Sequence, residues 1–511
     1  MDDRMTVELF IFLFVLVVVF KDSPRKRRIK QAYKFNPPTS HGNSKFADDA
    51  TLRRAGLFDG KGIPIGYSSR GHALHFSGAG HFLTVCAARG GKGATLLLNA
   101  LLSVRYSCLV VDPKAENAVV SAHRRQRFGQ VYILNPFGMF LKALKGLKQA
   151  RFNPMDIIDV NSTAFHVMCD KLAAALVWDE GPENNHFTAA ARIIVSGVVA
   201  ALMLHGAASE KNLAAVSRII SGDIFAFCRV TVKNTTDPFI IQKLGRFAAP
   251  GAKDIREVND VISTATTQLG FIANAALADS LSGSDFRFSD LKRKRGTSIY
   301  ICLPLDKLDV CDKYFRLILE TALTDLLNEG LQGAGEPVLA IIDEMAQLGP
   351  QMKSLENAMG MAAGAAGLKL WCVLQDLSQL KGMFPKTWET FIQGCSVTTW
   401  WGARDQTTRE YVSKLGGTVD TLSRSRSVAI DHQTGEPNVS DSANQFGRPL
   451  LLPEEVASQL ASDEMIMFVD SVRCGPIKAK RRFYFHVFPA RYFRRNPYVK
   501  KNNGFLDWLF R

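Results

Sequence analysis

The chain of 511 residues predicts an α/β fold: a doubly wound, mostly parallel sheet with an inserted all-α segment, preceded by an apolar N-terminal run. Three observations predict it. Short β-branched apolar runs alternate with helical patterns from His81 to Asn135 and again from Thr297 to Gly402. Between about Pro154 and Leu281 the strand signals fade and only helical spacing remains. Ahead of both lies Val7 to Phe20, almost purely apolar, followed at once by Lys21, Arg25, Lys26, Arg27, Arg28 and Lys30. A composition of 47% hydrophobic and 22% charged residues excludes a disordered chain and allows a large core.

In chain order, the N-terminal run carries its positive charge behind it, the reverse of a cleavable signal peptide. This predicts a transmembrane anchor with the N-terminus outside and the bulk of the chain in the cytoplasm. The run is short against the roughly 17–25 residues that span a bilayer core, so it has to thin the membrane or draw on its basic flank beside anionic headgroups. Residues 31–77 are polar and rich in Gly, Pro, Asn and Ser, a linker leading into an edge hairpin near Gly62 to Tyr67.

His81 to Leu102 (HFLTVCAARGGKGATLLLNALL) is a buried strand, a turn of small residues and a helix. Such a turn aims backbone N–H groups and the helix dipole at a polyphosphate. Ala88, Arg89, Gly90, Gly91, Lys92, Gly93, Ala94 and Thr95 form the predicted cradle, with Lys92 reaching the terminal phosphates of ATP. The pattern G-x-x-x-x-G-K-[ST] is departed from twice, with Cys86 at the first glycine and Gly93 at the Ser/Thr that usually ligates Mg²⁺. Water or Thr95 then compensates for the missing ligand. The next strand, Ser107 to Asp112, closes on Asp112-Pro113-Lys114-Ala115-Glu116-Asn117, charges placed where parallel sheets bind ligands.

Helical spacing marks Lys171 to Trp178, His186 to His205, Leu213 to Ser221 and Ile255 to Leu277. The sheet resumes at Thr297 to Leu303. Pro337 to Glu344 (PVLAIIDE) then supplies the second half of a P-loop ATPase site: Asp343 toward the Mg²⁺ shell and Glu344 to orient or deprotonate the attacking water. Leu368 to Gln375 ends on Gln375, which either senses the γ-phosphate or caps the following turn. Val397 to Gly402 leads to Arg404, the candidate arginine acting at a neighbouring subunit's nucleotide.

The formal net charge of +15 points to a polyanionic neighbour, nucleic acid or an anionic lipid surface. Lys292 to Arg295, Lys478 to Arg482 and the tail from Arg491 to Lys501, which interleaves Tyr492, Phe493 and Tyr498, are candidate contacts for single-stranded DNA. Thr421 to Arg448, without apolar periodicity, predicts a mobile loop. The nine cysteines are scattered with no C-x-x-C spacing, which argues for reduced packing residues and against zinc.

The ordered set CAARGGKGATLLLNALL, VVDPKAEN, FNPMDII, LAIIDEMAQLG, GLKLWCVLQDLSQLK and RPLLLPEEV resembles the TraG-like coupling-protein ATPases of type IV secretion systems, from roughly Gly78 to Phe488. The resemblance implies a RecA-like P-loop motor, an inner-membrane anchor and a homo-hexameric ring. It also implies recruitment of relaxase-bound DNA or of protein substrates, and their delivery to the secretion channel proteins. In that family Lys92, Asp343, Glu344 and Gln375 match the phosphate-loop lysine, the metal-shell and water-activating pair, and the sensor glutamine. The organisation expected is an anchor with basic flank (1–30), linker and edge strands (31–77), a nucleotide-binding domain in two parts (78–153 and 286–490), an all-α insertion (154–285) and a basic aromatic tail (491–511). Two alternatives stand beside the motor: a recruitment platform that binds nucleotide without hydrolysing it, and a soluble P-loop enzyme acting on a small molecule.

Overall fold

The structure, a computed structural model, describes residues 41–178, 185–329, 337–349, 352–360, 367–430, 437–458, 460, 462–472 and 475–499. The apolar run Val7 to Phe20, its basic flank and the end of the basic tail lie outside the described residues. Two compact units are present, one of residues 46–415 and 451–499, the other of residues 41–45 and 416–450.

The strands are β1 (Ile63–Tyr67), β2 (Ala73–Phe76), β3 (His81–Cys86), β4 (Cys108–Asp112), β5 (Val131–Leu134), β6 (Lys148–Gln149), β7 (Ser298–Cys302), β8 (Val338–Ile342), β9 (Leu368–Leu374), β10 (Cys395–Trp401), β11 (Thr418–Ile430), β12 (Pro437–Pro449), β13 (Glu464–Val469) and β14 (Ile477–Lys480). Twelve of them form one sheet in the order β2-β1-β14-β13-β10-β3-β9-β8-β4-β7-β5-β6. From β10 to β6 every pairing is parallel; from β10 back to β2 every pairing is antiparallel. The predicted parallel sheet and edge hairpin are thus present. β13 and β14, which join them, were not anticipated from the sequence.

The central strands are buried on both faces, which is why they read as continuous apolar runs. Alternation still sorts their side chains: Leu83, Val85, Leu109, Val111, Ala340 and Ile342 enter one apolar cluster. Phe82, Cys86, Cys108, Val110, Leu339 and Ile341 enter the other. Against the second face lie α1 (Leu98–Ser103), reached through a π-helical turn at Gly93–Leu97, and α2 (Glu116–Arg125).

Between β6 and β7 the longer helices among the described residues are α3 (Phe165–Leu176), α4 (Asn185–His205), α5 (Leu213–Ser221), α6 (Ile224–Asn234), α7 (Pro238–Ala248) and α8 (Arg256–Leu269), with 3-10 turns at Ala208–Glu210 and Ala252–Asp254 and shorter helical pieces at Ala275–Ser280 and Asp290–Arg293. Their buried residues, including Ile194, Val198 and Leu202 of α4, continue the cluster that begins on the first sheet face. His186–His205 is long and apolar enough to cross a membrane, yet 72% of its most apolar 18-residue window is buried, as expected of a core helix.

In the other unit β11 and β12 pair antiparallel along their length, from Thr418 opposite Pro449 to Ile430 opposite Pro437, and Asn43 bridges to Val419. The described residues of the stretch expected to be a mobile loop therefore form a β-ribbon.

Candidate nucleotide-binding site

Strand order brings the predicted site together. Because β9 lies between β3 and β8, the carboxyl ends of three adjacent parallel strands deliver the glycine turn, Gln375 and the Asp343–Glu344 pair side by side. The turn leaves β3 at Cys86 and folds back with Gly90 N–H donating to the Ala87 carbonyl at 3.0 Å. Arg89 (φ 62°) and Gly91 (φ 77°) take left-handed conformations that let it close. Gly90 is held from behind: the Trp401 indole N–H and an Arg481 guanidinium N–H both donate to its carbonyl, at 2.8 and 2.9 Å. A side chain at Gly90 has no room, since its Cβ would lie 2.2 Å from the Cys86 sulfur and 3.0 Å from the Ala87 carbonyl oxygen. The departure at Cys86 is thus accommodated by filling the space beneath Gly90, and burial pushes its thiol up to about 12.

Lys92 is 8% exposed and its ammonium sits 3.1 Å from Glu344 Oε1 and 3.6 Å from Asp343 Oδ1. Glu344 is held by three partners. Besides Lys92, Lys114 Nζ lies 3.4 Å from Oε1, and the Gln375 side-chain amide donates to Oε2 at 3.1 Å. Of the two roles weighed for Gln375, its amide faces Glu344, while its backbone N–H is capped by Gln379 Oε1 at 2.8 Å. Glu344 itself adopts a left-handed backbone (φ 56°, ψ 48°), a conformation costing a non-glycine residue about 1–3 kcal/mol, which turns its side chain back toward Lys92. Burial alone would raise the Glu344 carboxyl; Lys92, the Gln375 amide and Lys114 outweigh it and hold the group below its ordinary value. Asp343 goes the other way: burial raises it, and Lys92 only partly opposes this. Adjacent carboxylates with pKa values pushed apart suit different tasks: Glu344 stays ionised, and Asp343, whose charge burial disfavours, gains most from a cation beside it.

Mg²⁺ fits this donor set. Asp343 Oδ1 is buried without a hydrogen-bond partner, a hard oxygen of the kind the cation binds. No group of three or more His, Cys, Asp or Glu side chains converges among the described residues, so phosphates and water would supply most of the coordination. The Thr95 hydroxyl donates its proton to the Gly91 carbonyl at 2.8 Å, one turn back, which leaves its oxygen lone pairs. Arg404 is exposed beyond the end of β10, the parallel neighbour of β3, on the same edge of the sheet as the glycine turn.

Sequence reasoning missed Arg481, Trp401 and Asn496. Arg481 belongs to the basic run Lys478 to Arg482, but it is 9% exposed, stacks over Trp401 at 4.6 Å and also donates to the Ser462 carbonyl at 2.6 Å. In the tail, Tyr492 lies under Arg124 at 3.8 Å, Phe493 packs edge-on against Tyr484, and the Tyr498 hydroxyl donates to the Lys114 carbonyl at 2.9 Å. Three of the rings expected to stack on bases are engaged within the chain.

The family described as type IV secretory system conjugative DNA transfer matches residues 42–503. The chain belongs to this family. As a coupling-protein relative it is 25% identical over 470 residues to protein VirD4 of Agrobacterium fabrum, covering 87% of this chain and 66% of that protein. The conjugal transfer protein TraG of Escherichia coli is 24% identical over 460 residues, covering 81% and 70%. The chain thus spans about two thirds of the length of these relatives. Among solved structures, the bacterial conjugative coupling protein TrwB superposes with a TM-score of 0.65 at 16% identity, covering 88% of this chain and 96% of that one. Structures of TrwB with the ATP analogue ADPNP and with ADP and Mg²⁺ superpose at 0.65 and 0.63. This family member therefore has the TrwB-like fold, with its mostly parallel sheet.

Proposed function

We propose that this chain is a membrane-anchored ATPase that recruits relaxase-bound single-stranded DNA, protein substrates or both, and delivers them to a type IV secretion channel. The single observation that carries the reading is the convergence of Lys92, Glu344 and Gln375 at the ends of adjacent strands, with Asp343 buried beside them. The glycine turn holds the phosphates of ATP, and Lys92 offsets their charge. Asp343 would hold Mg²⁺ through its shell, and the cation when bound would supply further charge neutralisation on the phosphates. Glu344, kept ionised by its cationic neighbours, accepts a proton from the attacking water, and Gln375 orients it. Arg404, exposed beyond β10, acts at the nucleotide of the next subunit in a homo-hexameric ring. The apolar run Val7 to Phe20 anchors the chain in the bacterial inner membrane, N-terminus outside and bulk cytoplasmic, and residues 154–285 form the all-α insertion.

The test is steady-state ATP hydrolysis by the full chain, with and without single-stranded DNA, beside Lys92→Ala and Glu344→Gln. Turnover stimulated by DNA and lost in both variants supports the motor. Nucleotide binding without turnover at protein concentrations that favour assembly supports the recruitment platform instead, and removes the role given to Glu344.

A further inference from the structure

At Gly93 the chain has no side chain where a phosphate-binding loop ordinarily presents a hydroxyl to Mg²⁺. A Cβ built there meets one atom within 4 Å, Glu116 Oε1 at 3.9 Å. The space beside the missing hydroxyl is thus faced by a carboxylate from another element. Glu116 is the first residue of α2, aimed by the turn that follows β4, in which Ala115 takes a left-handed conformation (φ 51°). Asn496, from the C-terminal segment, donates to Glu116 Oε1 at 2.6 Å and fixes its rotamer. Asp343, whose Oδ1 is buried without a hydrogen-bond partner and which is 8% exposed, follows β8, the parallel neighbour of the β4 strand whose end leads to Glu116.

We propose that Glu116 replaces the absent Ser/Thr hydroxyl, its carboxylate supplying an oxygen, directly or through one water, to the Mg²⁺ of bound nucleotide opposite Asp343. The inference rests on the nucleotide reading above and assigns a residue that reading leaves without a role. Mg²⁺ is ordinarily held by one or two carboxylates together with substrate phosphates, and Glu116 and Asp343 would be two such carboxylates. Exchanging a neutral hydroxyl for a carboxylate has a consequence of sign. The site is one charge more negative, so nucleotide without metal is repelled more strongly and nucleotide with metal is held as well as by an ordinary loop. Asn496 is a positioning residue that keeps the carboxylate turned toward residue 93.

The experiment measures binding of fluorescent ADP to the full chain in EDTA and in Mg²⁺, together with Mn²⁺ affinity of the ADP complex by electron paramagnetic resonance. The parent is compared with Glu116→Gln, Gly93→Ser, the double variant and Asn496→Ala. Glu116→Gln is expected to weaken Mn²⁺ binding in the ADP complex by about 10- to 100-fold and to bind ADP in EDTA as tightly as the parent or more so. Gly93→Ser in the same chain restores the metal affinity, and Asn496→Ala lowers it by a smaller factor. Equal weakening with and without metal would show a merely structural role and overturn the proposal, as would an unchanged Mn²⁺ affinity. If Glu116→Gln fails to fold, Asn496→Ala with unaltered Mn²⁺ affinity also overturns it. Failure of the parent to bind ADP under either condition overturns the nucleotide reading itself, and this inference with it.

Discussion

Gly90→Ala is the perturbation that most directly tests how the phosphate loop is built. The added methyl would stand 2.2 Å from the Cys86 sulfur, 3.0 Å from the Ala87 carbonyl oxygen and 3.2 Å from the Trp401 indole nitrogen. None of these can retreat easily. Cys86 is the last residue of a fully buried strand, and the Trp401 indole is tied to the Gly90 carbonyl. Overpacking of this kind costs about 1–3 kcal/mol. Either the loop shifts, and nucleotide affinity falls by roughly 5- to 150-fold, or the sheet yields and the same energy leaves the folding stability. Both are measured, the first by titration with a fluorescent ATP analogue and the second by urea unfolding. The Cys86→Ala background removes the atom responsible for the closest contact, so in Cys86→Ala/Gly90→Ala much of the loss should return. Independent sites add to within about 0.3–0.5 kcal/mol. If the double variant is simply the sum of the two single ones, the cysteine is not what excludes a side chain at position 90, and the account of this departure from the glycine pattern is wrong.

Other expectations follow from the same geometry. Arg481→Ala removes the guanidinium bonds to the Gly90 and Ser462 carbonyls and should lower unfolding stability by about 2 kcal/mol or more; a midpoint equal to the parent's would refute its clamping role. Asp112, fully buried at the end of β4, is raised by burial from 3.8 to about 7. Its contribution is therefore complete below pH 3.8 and is lost as pH rises through 7, by about 4 kcal/mol as an upper bound. Asp112→Asn should flatten the fall in urea stability between pH 5 and about 8, while keeping an oxygen for the Ala118 N–H. The eight described cysteines are all buried and should resist maleimide in the native chain; peptide mapping that finds Cys86 labelled before unfolding contradicts its burial beneath Gly90.

What the amino-acid pattern disclosed, and what it hid, divides by the range of the interaction. The parallel strands were legible because each is buried on both faces and reads as an unbroken apolar run ending in chemistry: Asp112, Asp343–Glu344, Gln375. Helices α6 and α7 were passed over although their start signals are local, with Asp223 and Asp237 capping the N–H groups of Ala226 and Ile240, and Pro238 opening α7. Their apolar faces complete the core begun by α4, a fact about neighbours that a single helix does not carry. The left-handed Glu344 has no composition signal at all, because any residue fits the strand-end pattern and only the packed site forces the conformation.

The supports of the phosphate loop were the least legible part, for a physical reason. Arg481 reaches Gly90 across 391 positions of sequence, and the Trp400–Trp401 end of β10 reaches it across 311. Within its own neighbourhood Arg481 is one member of the run Lys478 to Arg482, which resembles any solvated basic surface. It is the antiparallel extension through β13 and β14, beyond the parallel core, that turns this one guanidinium, just past the end of β14, inward over Trp401 while Lys478, within β14, remains half-exposed and pairs with Glu464 at 3.0 Å. A charge run therefore divides by the pleat of the strand that carries it. The loop's rigidity comes from the antiparallel edge of the sheet, and its chemistry from the parallel strands beside it.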